Sequence, residues 1–206
     1  MPDPVPDPVG GFADVVRLLR AECPWKAVQT HRSLVRHLLE EAHETVEAIE
    51  TGTPADLREE LGDLLLQVFL HAAIAEQAGD FTLDDVAREV TAKMVRRNPH
   101  VLGPGAAGAA APTPAEVDEA WEAAKAVEKP HRTSPADGIA PTLPALATAE
   151  KVLARLARAG TDPALVPVVD EDAEMGERLL SLVAEARASG TDPEQALRAA
   201  VRRRLG

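Results

Sequence analysis

Residues 38–68 read LLEEAHETVEAIETGTPADLREELGDLLLQV. Leu34, Val35, Leu38, Leu39, Ala42, Val46 and Ile49 recur at helical spacing and fill one arc of a first helix. In the TGTPAD that follows, Thr53 can cap a helix, Pro54 suits its first position and Asp56 favours its N-terminal dipole. A second helix is therefore expected from Pro54 to about Ala78. Glu41 and Glu44 are three apart, as are Glu60 and Asp63, so each pair shares a helical face. Glu44 and Glu60 stand eight residues from Gly52, and Glu41 and Asp63 stand eleven away. In an antiparallel hairpin rising roughly 1.5 Å per residue, equal offsets mean equal height. Four carboxylates then converge between two helices.

The second helix is apolar almost all the way round: Leu57, Leu61, Leu64, Leu65, Leu66, Val68, Phe69, Leu70 and Ile74. Such a helix is expected to be buried on several sides, by chain neighbours or by another subunit. Asp63, set against those leucines, is then expected to be kept from bulk water. An unpaired buried carboxylate is costly or protonated. Four oxygen donors in such a place suit Mg²⁺, or Mn²⁺ as a substitute. A solvated face accounts for Glu40, Glu47, Glu50 and Glu59.

The surrounding chain is helix-forming throughout. Its 206 residues are 45% hydrophobic, but only 2% aromatic with no Tyr, which is poor material for sheets. The expected fold class is all-α. A formal charge of −12 argues against nucleic acid as a bulk partner, yet leaves room for an anionic small molecule bridged by cations. One cysteine, Cys23, offers no disulfide framework. No stretch approaches a membrane span, and the N-terminus lacks a signal pattern. A soluble, cytoplasmic protein is expected.

Residues 1–11 read as a disordered leader and 12–22 as a short helix. CPWKAVQTH (23–31) reads as an irregular connection. Helices are expected over 82–97 and from the capping box at Thr113 and Glu116, with 103–113 a flexible loop. The first domain spans 12–129. A linker follows at 130–143, and three helices, about 144–159, 170–188 and 193–204, make up a second domain over 144–206.

CPW (23–25), QTHRSL (29–34), LLEEAHE (38–44), LREELGDLLLQV (57–68), KMVRRNPHV (93–101) and WEAAK (121–125) appear in this order. Together they resemble the MazG-type nucleoside triphosphate pyrophosphohydrolases, over about half of the chain. The resemblance implies an all-α helical bundle and cleavage of nucleoside triphosphates to monophosphate and pyrophosphate by metal-assisted water attack. It implies Mg²⁺ on Glu41, Glu44, Glu60 and Asp63, phosphate contacts from Lys93, Arg97 and Lys125, and Trp121 near the base or sugar. Arg96 completes a basic cluster with Lys93 and Arg97. Their alternative role is pairing with neighbouring acids, and that of Trp121 is core packing. Glu40 and Glu59, next to the ligand pairs, are candidates to take the water's proton. Cys23, His31 and His71 are assigned to packing or local hydrogen bonds. A homodimer through the bundle is expected.

Lys26 stands where the family usually has an acid, and Asn98 where it usually has His. Beyond the linker, AEMGERLLSLVAEARASGTDPEQALRAAVRRRL (173–205) echoes the second helix and its sequel, aligning Glu174 and Glu177 with Glu60 and Asp63. No ExxE partner precedes it in 145–170. This part reads as a degenerate repeat that packs structurally and has no active site. Two other readings compete: a non-enzymatic helical interaction module, and a di-iron carboxylate bundle. The latter has only Glu40-x-x-His43 to support it, and such sites need that motif twice.

Overall fold

The computed structural model describes residues 7–104, 111–160 and 171–205. Every regular element among the described residues is a helix: α1 (Pro8–Glu22), α2 (Pro24–Ala27), α3 (His31–Thr51), α4 (Pro54–Ala78), α5 (Leu83–Arg97), α6 (Pro99–Leu102), α7 (Pro114–Glu128), α8 (Ala145–Arg158), α9 (Glu171–Ala188) and α10 (Pro193–Leu205). The fold is all-α. The chain divides into two compact units, Met1–Val117 and Asp118–Gly206. The division falls inside α7, upstream of the expected linker at 130–143.

Local chemistry explains where the helices begin. Thr30, Thr53, Thr82 and Thr113 each accept a bond from the backbone N–H three residues on. Ser33, Asp56, Asp85 and Glu116 answer by accepting from the cap's own N–H. These reciprocal caps satisfy donors that a helix start otherwise leaves unpaired. Helix α4 stops at Gly79, whose φ of 77° is left-handed, and Asp80 N–H closes onto the Ala75 carbonyl at 3.0 Å.

Two expectations are corrected here. The first helix starts at Pro8 rather than 12, because the Asp7 carboxylate caps Val9 and Gly10 N–H and Pro8 occupies the first turn; residues 8–11 are therefore helical, while 1–6 lie outside the described residues. The connection after Cys23 contains the short helix α2, and a buried arginine gathers one carbonyl from it and one from the segment beyond. The Arg20 guanidinium donates to the carbonyls of Lys26 and Gln29 and to the Gln77 side chain. Most of the expected 103–113 loop (105–110) also lies outside the described residues.

In the first unit, α4 is the central helix, with α1, α3 and α5 packed on it. Ala13, Val16, Leu34, Phe69, Leu70 and Ala73 form the core, supported by Phe12, Leu66, Ile74 and Leu83. Phe12 and Phe69 meet with ring centroids 5.0 Å apart. His31, at the start of α3, stacks on His71 of α4, and their Nδ1 atoms lie 2.7 Å apart. Nε2 of His71 is buried and has no hydrogen-bond partner among the described residues. In the second unit, α8, α9 and α10 contact one another pairwise, with Leu153, Ala154 and Val183 buried.

Candidate metal centre

The site is built by the α3–α4 hairpin. Only Gly52 and Thr53 separate the two helices. Gly52 lies so close to the preceding turn that a Cβ would sit 2.8 Å from the Ala48 carbonyl oxygen, so the tight reversal needs glycine. The antiparallel register follows from contacts along its length. His31 meets His71, and nearer the turn the Thr45 hydroxyl lies 2.7 Å from the Glu41 carbonyl and 3.4 Å from the Glu60 carbonyl. In this register Glu41 of α3 and Glu60 and Asp63 of α4 each present a carboxylate oxygen within 4.8 Å of the other two. Of the four carboxylates expected to converge, these three form the group.

Such crowding has an electrostatic signature. Desolvation pushes the Glu41 carboxyl above the usual range, and the charges of Asp63, Glu44 and Glu60 push in the same direction. Glu60 is also raised, first by desolvation and then by Glu44, Asp63, Glu59 and Asp56. Like charges held together favour proton uptake unless a cation neutralises them. Oxygen-only donors at this spacing match a hard divalent ion. The residues present therefore fit a metal.

The depth of the site differs from expectation. None of the three carboxylates is buried, and Leu61, Leu65 and Val68 of α4 are 50%, 41% and 41% exposed. The leucines do not wall Asp63 off within one chain, because α1, α3 and α5 cover only part of α4. What singles out Asp63 as a candidate ligand is convergence, rather than exclusion of water.

The other candidates separate by position. Glu44 acts on both Glu41 and Glu60 by charge; it lies beside the triad. Glu40 pairs with His37, its carboxylate 3.0 Å from Nδ1. Glu59 is exposed and acts on Glu60 by charge. Lys93 and Arg97 are half-buried and Arg96 is exposed, all near the end of α5, where cations suit the helix dipole. Trp121 and Lys125 lie on α7 within the second unit, and the Lys125 ammonium is 2.6 Å from Glu122.

The two departures have local roles. Asn98 caps α5, donating from its side chain to the Met94 carbonyl at 2.8 Å. The Lys26 ammonium stands 5.3 Å over the Trp25 ring. Sequence reading missed His37, whose only signal was its i, i+3 spacing to Glu40. It also missed Thr45, the buried hydroxyl between the two carboxylate-bearing helices.

Comparison with known proteins gives a consistent assignment. Residues 29–102 match the MazG nucleotide pyrophosphohydrolase domain. The chain is 36% identical, over 88% of its length and 75% of the relative's, to "Nucleoside triphosphate pyrophosphohydrolase/pyrophosphatase MazG" of Thermotoga maritima. It is 36% identical, over 86% of its length and 76% of the relative's, to "Nucleoside triphosphate pyrophosphohydrolase" of Escherichia coli K12. A relative of the same name in Mycolicibacterium smegmatis is 41% identical over 96% of this chain, which spans 58% of that protein's length. The matched segment contains the whole α3–α4 hairpin and its carboxylates, and the chain belongs to the MazG nucleotide pyrophosphohydrolase family.

Proposed function

We propose that this chain hydrolyses nucleoside triphosphates to nucleoside monophosphate and pyrophosphate, in a housecleaning role on the nucleotide pool. The observation that carries this reading is the three-carboxylate cluster inside the segment that matches the family. Glu41, Glu60 and Asp63 would hold Mg²⁺, with Glu44 completing the set and Mn²⁺ as a substitute. When bound, the cation would neutralise charge on the triphosphate and lower the pKa of a bound water.

The chain's own residues would do the rest. Lys93, Arg96 and Arg97 orient the phosphates by charge-assisted hydrogen bonds. Trp121 stacks on the base or sugar and Lys125 reaches a phosphate, both roles resting on the resemblance. Water adds across the α–β phosphoanhydride, whose bridging P–O bond breaks, and the water's proton passes to a carboxylate. Glu59 is the freer candidate for that proton, since Glu40 is engaged by His37. Exposed Leu61, Leu65 and Val68 leave an apolar strip on α4, which supports a homodimer that covers it. No described helix is long and apolar enough to cross a membrane, and we place the protein in the cytoplasm.

A panel of NTPs and dNTPs with Mg²⁺, scored for monophosphate and pyrophosphate, tests the reaction. Equimolar release of both, abolished by chelator, is expected. Release of orthophosphate alone, or turnover indifferent to chelator, overturns it.

A further inference from the structure

The second unit carries a groove of about 610 Å³ between the end of α7, the segment after it and the end of α8. Five cationic side chains line it, Lys125, Lys129, Arg132, Arg155 and Arg158, against a single carboxylate, Glu122. In a chain of net charge −12 this concentration of positive charge calls for a reason. Cations in the last turn of a helix offset its dipole, which accounts for Lys125, Arg155 and Arg158. Lys129 and Arg132 lie beyond the end of α7 and have no such explanation.

The pairings inside the groove separate structural cations from available ones. Arg155 donates to the carbonyls of Pro135 and Asp137, both at 2.7 Å, and so pins the segment after α7. Glu122 takes Lys125 at 2.6 Å and Arg158 at 3.2 Å. Burial alone would raise its carboxyl, but the hydrogen bond from Lys125 and the charges of Lys125, Arg158 and Arg155 outweigh it and hold Glu122 ionised, below the usual range. Asp137 spends one oxygen on the N–H groups of Thr133 and Ser134, each at 2.8 Å. Neither Lys129 nor Arg132 makes an ion pair among the described residues, although the Ser134 and Thr133 hydrogen bonds, joined by the charges of His131 and Arg132, hold the Asp137 carboxyl below its usual range. The Arg132 guanidinium instead lies against Gly138, where a Cβ would collide with it.

We infer that this groove binds a compact oligophosphate anion without a metal, through Lys129, Arg132 and the outward face of Arg158. Cations that outnumber the carboxylates around an open groove repel one another, and a multivalent anion entering the groove offsets that repulsion. The groove is short and the chain as a whole is acidic, so a long polyanion would meet repulsion along the rest of its length. Pyrophosphate and the triphosphate tail of a nucleotide share the required chemistry. This site goes beyond the metal-centre reading and needs neither its carboxylates nor Lys125.

The test is calorimetric titration of the full chain with inorganic pyrophosphate in excess chelator, repeated in Asp63→Asn to remove the metal centre. Both proteins are expected to bind alike. The double variant Lys129→Gln/Arg132→Gln, both positions exposed, is expected to weaken binding at least about tenfold. Glu122→Gln, which removes the competing carboxylate, is expected to strengthen it several-fold. ATP in chelator, binding as well as or better than pyrophosphate, would point to nucleotide as the source, and weaker ATP binding to the inorganic anion. No binding in chelator, unchanged binding in the double variant, or tighter binding of a single-stranded RNA 12-mer would each overturn the proposal. Turnover of NTPs by the double variant reports separately on the metal centre.

Discussion

Helices α4 and α9 carry related text, REELGDLLLQV against AEMGERLLSLV, and meet different fates. In the first unit α4 pairs with α3, which offers Glu41 and Glu44 opposite Glu60 and Asp63. In the second unit α9 packs on α8, whose charged positions are Glu150 and the three cations Lys151, Arg155 and Arg158. Glu174 and Glu177 remain exposed, and the only converging acidic group among the described residues is the one in the first unit. An ExxE-like spacing on one helix is thus only half of a site. The second half is an acidic partner helix at matched height, and where that partner turns basic the unit gathers anion-binding character instead.

The largest effect should come from removing a ligand on the acidic side. Glu60→Gln or Asp63→Asn is expected to lower kcat/KM on nucleoside triphosphates by roughly a thousandfold, the scale of losing a preorganised electrostatic contact. The same variants should not lower the melting temperature of metal-free protein, because each deletes a charge that repels Glu41. A parallel loss of stability and activity would reduce these residues to packing, and α4 would then differ little from α9.

Core truncation probes whether the two units are separate in energy as well as in contact. Leu34 and Val183 are each 1% exposed, one in each unit. Leu34→Ala is expected to cost about 2–5 kcal/mol, and Val183→Ala less, since it removes fewer carbons. In calorimetry each variant should move one transition and leave the other in place. A single transition shifted by either variant would mean that the units unfold as one.

The helices were legible because caps, proline and apolar spacing all act within a few residues. Thr53-Pro54 and Thr113-Pro114 announced their starts, and Gly79 announced a stop. The triad was legible for the same reason, since a two-residue turn converts sequence distance into height. Burial was not: the apolar circumference of α4 shows how much surface wants cover, while the cover itself depends on which helices arrive. The basic groove was invisible for a related reason. Glu122 and Arg158 are 36 residues apart and face each other at 3.2 Å, a pairing that no local period encodes.

Acid should discriminate between the units. Desolvation, and then the neighbouring His31, hold the His71 imidazole below its ordinary value. The unfolded chain therefore binds a proton first as pH falls through about 6.5, and stability is lost from there down to the lower folded value. Between pH 7.5 and 5.5 the transition assigned to the first unit by Leu34→Ala should drop, while the other holds. His71→Leu should flatten that dependence. A pH profile unchanged by the substitution would remove the histidine pair as its source.

The smallest effect is expected at the echo of the site. Glu174→Gln and Glu177→Gln change exposed side chains on α9 that join no converging acidic group among the described residues, so each should alter stability by no more than about 0.5 kcal/mol. Steady-state turnover should match the parent protein at every Mg²⁺ concentration, because neither residue supplies an oxygen to the triad. The sensitive comparison is the Mg²⁺ dependence rather than the maximal rate: a second ion held by α9 would show as a shifted or biphasic titration even if turnover were unchanged. A monophasic curve that moves only with Glu60 and Asp63 would assign all of the metal dependence to the hairpin and leave the repeat its helical scaffold alone.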